Sequence, residues 1–401
     1  MKSWVEISGQ RLAANYRLLA DMVGAETSVM AVVKADAYGH GADPCAVVLA
    51  AAGAEWLGVT DAAEGVAVQA SLAQAGVQPR MLVMSEALGE EAETVVEHGL
   101  TPVVSNVEQM EALARAAGND ASRPFGVHLE VDTGMARQGV SPGGALDDVL
   151  GWLSRQSAIS LDGVMTHFAS AEIAGSHQTS EQRTRFEQAV GQVVAAGLKP
   201  AWVHAGNSST IDNPADAETA TGSLPWLVNV ARMAGARAMV RSGLALYGYS
   251  LPVEREQGYG GDARSRIRSR LQPVMTWKTR VTGVREVEPG TKIGYNGTYT
   301  APHRMRLALL PVGYADGLRR ELSATGAHTG GWVMFGEARA ALVGRVSMNL
   351  TIVDVTGIQS VAVGDEAVVL GAGITADDHA RLAGTIPYEI LCGVKSTRCL
   401  R

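Results

Sequence analysis

The chain has 401 residues, 46% of them apolar and 19% charged, so it can bury a large core and has the size of a two-domain globular enzyme. Its net charge of -7 argues against nucleic acid as a partner, and the Arg-rich stretch ARSRIRSR at 263–270 is too short to overturn that and reads as a solvated linker. The start, MKSWVEISGQ, lacks the basic and then apolar pattern of a signal peptide and no apolar run is long enough to span a bilayer, so a soluble cytoplasmic protein is expected.

In the first 250 residues short β-prone runs recur: Ser28 to Val33, Trp56 to Val59, Met81 to Met84, Thr101 to Val104, Gly126 to Val131, Leu161 to Thr166, Trp202 to Ala205 and Met239 to Tyr247. Between them lie stretches of helical periodicity, such as Val107 to Ala117 and Ser180 to Ala196. Strand and helix alternating eight times is the pattern of a (β/α)8 barrel, and doubly wound sheets rarely reach that count. The gap from Asn207 to Arg241 is longer than one helix needs, and its Pro and Thr content predicts an excursion from the barrel surface.

After Leu251 the character changes. A polar, Gly- and Arg-rich linker leads to the runs Val274 to Val284, Arg306 to Val312, Gly331 to Phe335, Ala340 to Val343, Leu350 to Val355 and Glu366 to Leu370. These predict a mainly antiparallel β domain over 252–401, after a barrel over 1–251 whose first few residues pack with the β domain. Cys45, Cys392 and Cys399 are too few and too scattered for a disulfide framework or a zinc site, which fits a reducing compartment and no metal.

A (β/α)8 barrel carries its ligand site at the C-terminal ends of the strands. Polar residues cluster there in phase: Lys34 after the first strand, Arg137 after the fifth, His167 at the end of the sixth, Asn207 and Ser208 after the seventh, and Arg241 with Gly243 at the eighth. Singly, each reads as a solvated side chain or a turn. A lysine ending a buried strand beside small residues is also placed to form an imine.

The segments VVKADAYGHG, DTGMARQG, THFASAE, HAGNSS, VRSGLALYG, GYNGTYTAP, PVGYADG, GRVSMN and PYEILC follow one another in that order over nearly the whole chain. Together they resemble the motifs of alanine racemases, a family that binds pyridoxal 5′-phosphate (PLP) in a barrel followed by a β domain. The resemblance implies that Lys34 holds PLP through an imine and moves the α-proton on the D-isomer side. It implies that Tyr38, Ser208, the backbone at Gly243 and Tyr388, with Asn207 nearby, bind the cofactor at its phosphate end. Arg241 matches the family's partner of the pyridine nitrogen; it cannot accept the ring proton, so the ring stays neutral and reprotonation at Cα is favoured over transamination.

Tyr295 resembles the second acid/base, contributed in the family by the partner subunit, so a homodimer with shared sites is expected. A phenol is a weak base near neutrality, and the family's link from Tyr295 through His167 to Arg241 offsets part of that. Arg137 resembles the arginine at the cofactor's phenolic oxygen and the substrate carboxylate, Met348 would lend its amide to that carboxylate, and Tyr314 and Tyr388 would narrow the site toward a small side chain. Asp316 and Arg320 read as structural or entry-lining rather than catalytic.

Two positions depart from the family. Where it often has a carbamylated lysine, this chain has Glu130, which supplies the same charge and is expected to orient Arg137. Where Met is commonly followed by Asp, this chain has Asn349, which puts substrate range in play. The readings that compete with alanine racemisation are a broader amino-acid racemase (serine being the nearest small substrate), a PLP decarboxylase, which would pair the ring nitrogen with an acid, and a non-catalytic PLP-binding protein.

Overall fold

Thr27–Val32, Trp56–Val59, Arg80–Glu86, Thr101–Val104, Phe125–Glu130, Ile159–Met165, Trp202–His204 and Arg237–Ser242 are parallel strands that close into an eight-stranded barrel, the last paired with the first. Trp56–Val59 and Thr101–Val104 are buried at every residue, because strands covered on both faces have no polar side to alternate with. The computed structural model describes residues 1–87, 89–118, 122–217, 222–326 and 328–401. They form two units: one of Leu12–Ala37 and Ala42–Gln272, the other of Met1–Arg11, Tyr38–Gly41 and Pro273–Arg401.

Met30, Trp56, Leu82, Val103, Met165, Trp202 and Met239 pack together as a barrel core. Pairing sets Glu130 beside Met165, Met165 beside His204, and Arg241 beside Met30, so these polar side chains leave the strands at neighbouring levels. The outer helices start where the sequence supplies caps: Asp61 accepts from Glu64 N, Asn106 from Gln109 N and Ser176 from Thr179 N. Val107–Ala116 buries Met110, Leu113 and Ala114, one face at helical spacing, and full burial of a leucine contributes about 1.5–3 kcal/mol.

Three expectations change. The last barrel strand ends at Ser242, and Leu244–Tyr247 is a 3-10 turn, because the amides of Gly243 and Ala245 donate to Ser208 Oγ and are lost to any ladder. The long segment after Asn207 forms helices Ser208–Asp212, Pro214–Ala217 and Ser223–Met233, the last burying Leu224, Trp226, Leu227, Val230 and Ala231; residues 218–221 lie outside the described residues. The Arg-rich stretch is a packed strap, since the buried Asp212 carboxylate accepts from Ser265 Oγ at 2.5 Å and Ile267 N at 2.9 Å, and Ile267 is fully buried. Residues 252–272 therefore cluster with the barrel unit, and the break falls at Gln272.

In the other unit a six-stranded sheet runs Ala338–Ala341, Trp332–Phe335, Glu366–Leu370, Met275–Arg280, Ser3–Ile7, Arg398–Leu400. Ser3–Ile7 pairs antiparallel with Met275–Arg280 and parallel with Arg398–Leu400. Gly283–Val287, Met305–Leu310 and Thr351–Asp354 form a second, antiparallel sheet, so the run from Val274 to Val284 divides between two sheets. Among the described residues no helix is long and apolar enough to cross a membrane.

Candidate active site

Lys34 stands half-buried where the first barrel strand gives way to a single left-handed helical turn. Ala35, Asp36, Ala37 and Tyr38 all have φ between 51 and 54°, a conformation that costs an L-residue about 1–2 kcal/mol each. The surroundings hold it: Glu64 accepts from Ala35 N at 2.8 Å and Thr60 N at 2.7 Å, and Asp36 accepts from Ala42 N at 2.8 Å. Gly39, at φ 79°, is required because a Cβ there would meet Leu391 O at 2.3 Å. Strain concentrated beside the candidate nucleophile is characteristic of functional sites.

Arg241, only 2% exposed, is the hub of the barrel site. Nη1 lies 3.1 Å from His204 Nδ1, and Nη2 lies 2.7 Å from Thr166 O and 3.2 Å from His167 Nδ1. A guanidinium only donates, so both Nδ1 atoms accept. Arg241 Nε is buried without a hydrogen-bond partner among the described residues. Burial lowers the Arg241 pKa to about 10, with the Glu130 charge opposing and the Arg137 charge adding, so it remains a cation at neutrality. Burial, then the charges of Arg241, Arg137 and Lys34, push His167 down to about 3, which keeps its ring neutral and identifies these four as one electrostatic cluster.

Glu130 is buried and accepts a short hydrogen bond from Gln138 Nε2, which also donates to Met84 O at 2.8 Å. Burial pushes its carboxyl up and Glu86 adds to that, while the Gln138 bond and the Arg241 and Arg137 charges pull it back. The hydrogen bond of Glu130 thus goes to Gln138, and the exposed Arg137 acts on Glu130 through its charge. Arg137 leaves a turn fixed by Asp132 Oδ1, which accepts from the amides of Gly134, Met135 and Ala136 at 3.0, 3.0 and 3.1 Å.

Ser208 Oγ, buried, lies 3.0 Å from Ser242 Oγ and accepts from Gly243 N at 3.1 Å and Ala245 N at 3.2 Å. Asn207 caps its helix, Oδ1 accepting from Ser209 N and Thr210 N, so its side chain serves the backbone that presents Ser208. In the other unit the Tyr38 and Tyr388 rings lie 5.8 Å apart, and burial raises the Tyr38 hydroxyl pKa above its ordinary value, helped by Tyr388 and Cys392.

That unit also exposes a group of large side chains: Tyr295 (67% exposed), Met348 (57%), Tyr314 (44%) and Leu350 (42%). Their loops are adjacent. A Cβ on Gly294 would lie 3.2 Å from Arg345 N, Tyr314 N donates to Ser347 O at 3.1 Å, and Ala315 N donates to Met348 O at 2.9 Å. Asp316 Oδ2 accepts from Gly313 N at 2.9 Å and lies 3.5 Å from Asn349 Nδ2. These four exposed side chains thus stand on neighbouring loops of that unit.

His204, Thr166 O and Gln138 joined the site without being singled out in the sequence, although His204 opens HAGNSS and Gln138 lies in DTGMARQG.

Residues 7–251 match the family model described as alanine racemase, N-terminal domain, and residues 274–401 the one described as alanine racemase, C-terminal domain. An alanine racemase of Symbiobacterium thermophilum is 37% identical over 98% of this chain and 94% of its own length, and one of Halothermothrix orenii is 36% identical over the same shares. Among solved structures, alanine racemase from Streptomyces coelicolor A3(2) is 32% identical with a TM-score of 0.84, covering 100% of this chain and 97% of its own. Alanine racemase from Bartonella henselae with covalently bound pyridoxal phosphate is 25% identical with a TM-score of 0.79, covering 100% of both chains.

Proposed function

This chain belongs to the alanine racemase family and is an amino-acid racemase, and we propose that it interconverts L-alanine and D-alanine on PLP held by Lys34, with a second copy of the chain completing each site. Bound PLP supplies an electron sink that acidifies the Cα proton of an amino acid. Arg241 is the observation that carries the reading. Its Nη groups are engaged by His204, Thr166 and His167, while the buried Nε–H has no acceptor among the described residues, which suits one directed donor to a neutral ring nitrogen. A cation there fits a racemase and argues against a decarboxylase, which would be expected to place an acid at that position.

Ser208, the Gly243 backbone, Tyr38 and Tyr388 are assigned to the phosphate. Lys34 takes or returns the α-proton on the D-isomer side, and Tyr295 of the second copy does so on the opposite face. Neutral His167, with Nδ1 accepting from Arg241, carries its proton on Nε2 and so can donate to a deprotonated Tyr295 oxygen. Arg137 and the Met348 amide of the second copy hold the substrate carboxylate, and Tyr314 and Tyr388 favour a small side chain. The exposure of Tyr295, Tyr314, Met348 and Leu350 supports a second copy as their cover.

The test is racemisation of both alanine enantiomers by purified protein with PLP in D2O, beside serine, lysine and arginine. Deuterium entering Cα of both alanine isomers at the highest kcat/KM supports the reading. PLP binding without exchange makes the chain a cofactor-binding protein only, and faster serine turnover makes it a broader racemase.

A further inference from the structure

The barrel interior holds a second set of buried polar groups that the proposed chemistry leaves unused. Beyond Arg241, the His204 and His128 rings meet edge to face at 4.9 Å, with His204 Nε2 2.8 Å from His128 Nδ1. His128 Nε2 lies 3.5 Å from Asp162 Oδ2, and Asp162 accepts from Arg80 at 2.5 Å. Arg80 is the first residue of its strand, half exposed at the N-terminal mouth of the barrel. Both histidines are wholly buried. Their places are shaped for them: a Cβ on Gly163 would fall 2.7 Å from the His128 ring, Trp56 packs on that ring at 5.1 Å, and Arg80 lies 4.2 Å over Trp56.

Donor chemistry gives this file one direction. Arg241 can only donate, so His204 Nδ1 accepts and the neutral ring carries its proton on Nε2, which donates to His128 Nδ1. His128 then carries its own proton on Nε2. That atom makes no well-formed hydrogen bond among the described residues, and Asp162 is the anion it faces, at the length of a charge contact. Burial is the first cause that keeps both rings neutral.

We propose that His204, His128 and Asp162 are positioning residues for Arg241, a one-way file of donors through which the Asp162 carboxylate makes His204 a stronger acceptor and holds the Arg241 cation with its Nε–H toward the ligand ring. The role in catalysis rests on the reading of Arg241 as the partner of the pyridine nitrogen; the file itself does not. Each hydrogen bond in such a chain polarises the next, so charge at one end is felt at the other. Arg80 offsets the Asp162 charge, and the two ends of that ion pair therefore act on His204 with opposite sign.

The experiment uses the full chain with 15N-labelled histidine and arginine, with and without PLP. In the unsubstituted protein His128 and His204 should both show a protonated Nε2 and an unprotonated, hydrogen-bonded Nδ1. Asp162→Asn, which keeps the shape and removes the charge, should move His204 Nδ1 downfield as its accepted bond weakens, and Arg80→Gln should move it upfield. A merely structural ion pair gives both variants the same sign. In the holoenzyme Asp162→Asn should lower kcat roughly tenfold, the equivalent of one pKa unit at Arg241, with KM nearly unchanged. A His204 protonated at Nδ1, shifts of like sign, or an effect confined to His128 overturns the file. If Asp162→Asn does not fold, the sign of the Arg80→Gln shift decides. The tautomers are read without PLP as well, so a protein that fails to bind PLP sinks the racemase reading and leaves the file still tested.

Discussion

The side-chain amide of Asn349 faces the carboxylate of Asp316 across 3.5 Å, with Nδ2 toward Oδ2. The neutral residue at this position therefore has a local reason. A second carboxylate would stand against Asp316, whose own oxygen is tied to Gly313 N. Asn349→Asp should lower the melting temperature by the equivalent of about 0.5–1 kcal/mol at low salt, and salt should erase most of the deficit. A deficit that salt leaves unchanged would show that packing, not charge, selects the amide.

Glu130 gives a prediction in which activity and stability part. Its pKa is raised, chiefly by burial, so it takes up a proton at a higher pH than an ordinary carboxyl, and the anion that offsets Arg241 and Arg137 then disappears. Activity should fall on the acid side through that raised pKa. Glu130→Gln should lower kcat/KM at neutral pH roughly ten- to hundredfold, as expected for losing a charge-assisted interaction, and should flatten the acid limb. For stability the sign reverses: a raised folded pKa means stability present below the unfolded value and lost as pH rises through the folded one. The variant should then melt no lower than the parent at pH 8. Unchanged substrate binding and turnover would remove Glu130 from the site.

Replacing Tyr295 with Phe tests the division of labour between the two faces. The variant keeps the ring and loses the hydroxyl, so deuterium should no longer enter Cα from L-alanine, while the absorbance of bound PLP stays in place. A general acid/base contributes about 10²–10⁴-fold, and a loss of that size is expected. An unaffected rate would refute a mechanism with two bases.

The eight barrel strands were legible because strands buried on both faces leave continuous apolar runs, as in Trp56–Val59 and Thr101–Val104. The strand-end polar residues were legible for the complementary reason, that a charge closing such a run has to serve something. The turn after Lys34 was not. Ala35, Ala37 and Tyr38 carry no turn chemistry, and their left-handed backbone is held by Glu64, a residue distant in sequence. Leu244–Tyr247 reads as strand by composition until Ser208 takes its amides. The Arg-rich strap looked solvated because the anchor it needs, Asp212, lies more than fifty residues away. Gln138 and His204 were invisible as partners because what selects them is distance in the barrel, not spacing along the chain.

The buried histidines set the acid limit of the fold. Burial lowers His128 and His204, takes His167 down to about 3 and, in the β unit, takes His379 to about 4. Their unfolded pKa is about 6.5, so between that value and the folded values the unfolded chain binds protons that the folded chain refuses. Stability must then fall as pH drops below about 6.5, at up to about 1.4 kcal/mol per pH unit for each histidine. Glu6, Asp162 and Asp378, whose pKa values are lowered, act in the same sense but only below the carboxylate range. Tyr16, raised to about 12 by burial, sets the alkaline side: its contribution is present below pH 10 and is lost as pH climbs toward 12. Denaturant midpoints at pH 8, 7, 6 and 5 should therefore decline from near pH 6.5, well before the carboxylates titrate. His379→Gln should make that decline shallower by one proton's worth whatever it does to absolute stability. A midpoint that stays flat from pH 7 to 5 would mean that these rings are charged in the fold, and the neutral tautomers assigned to His167 and His204 would fall with them.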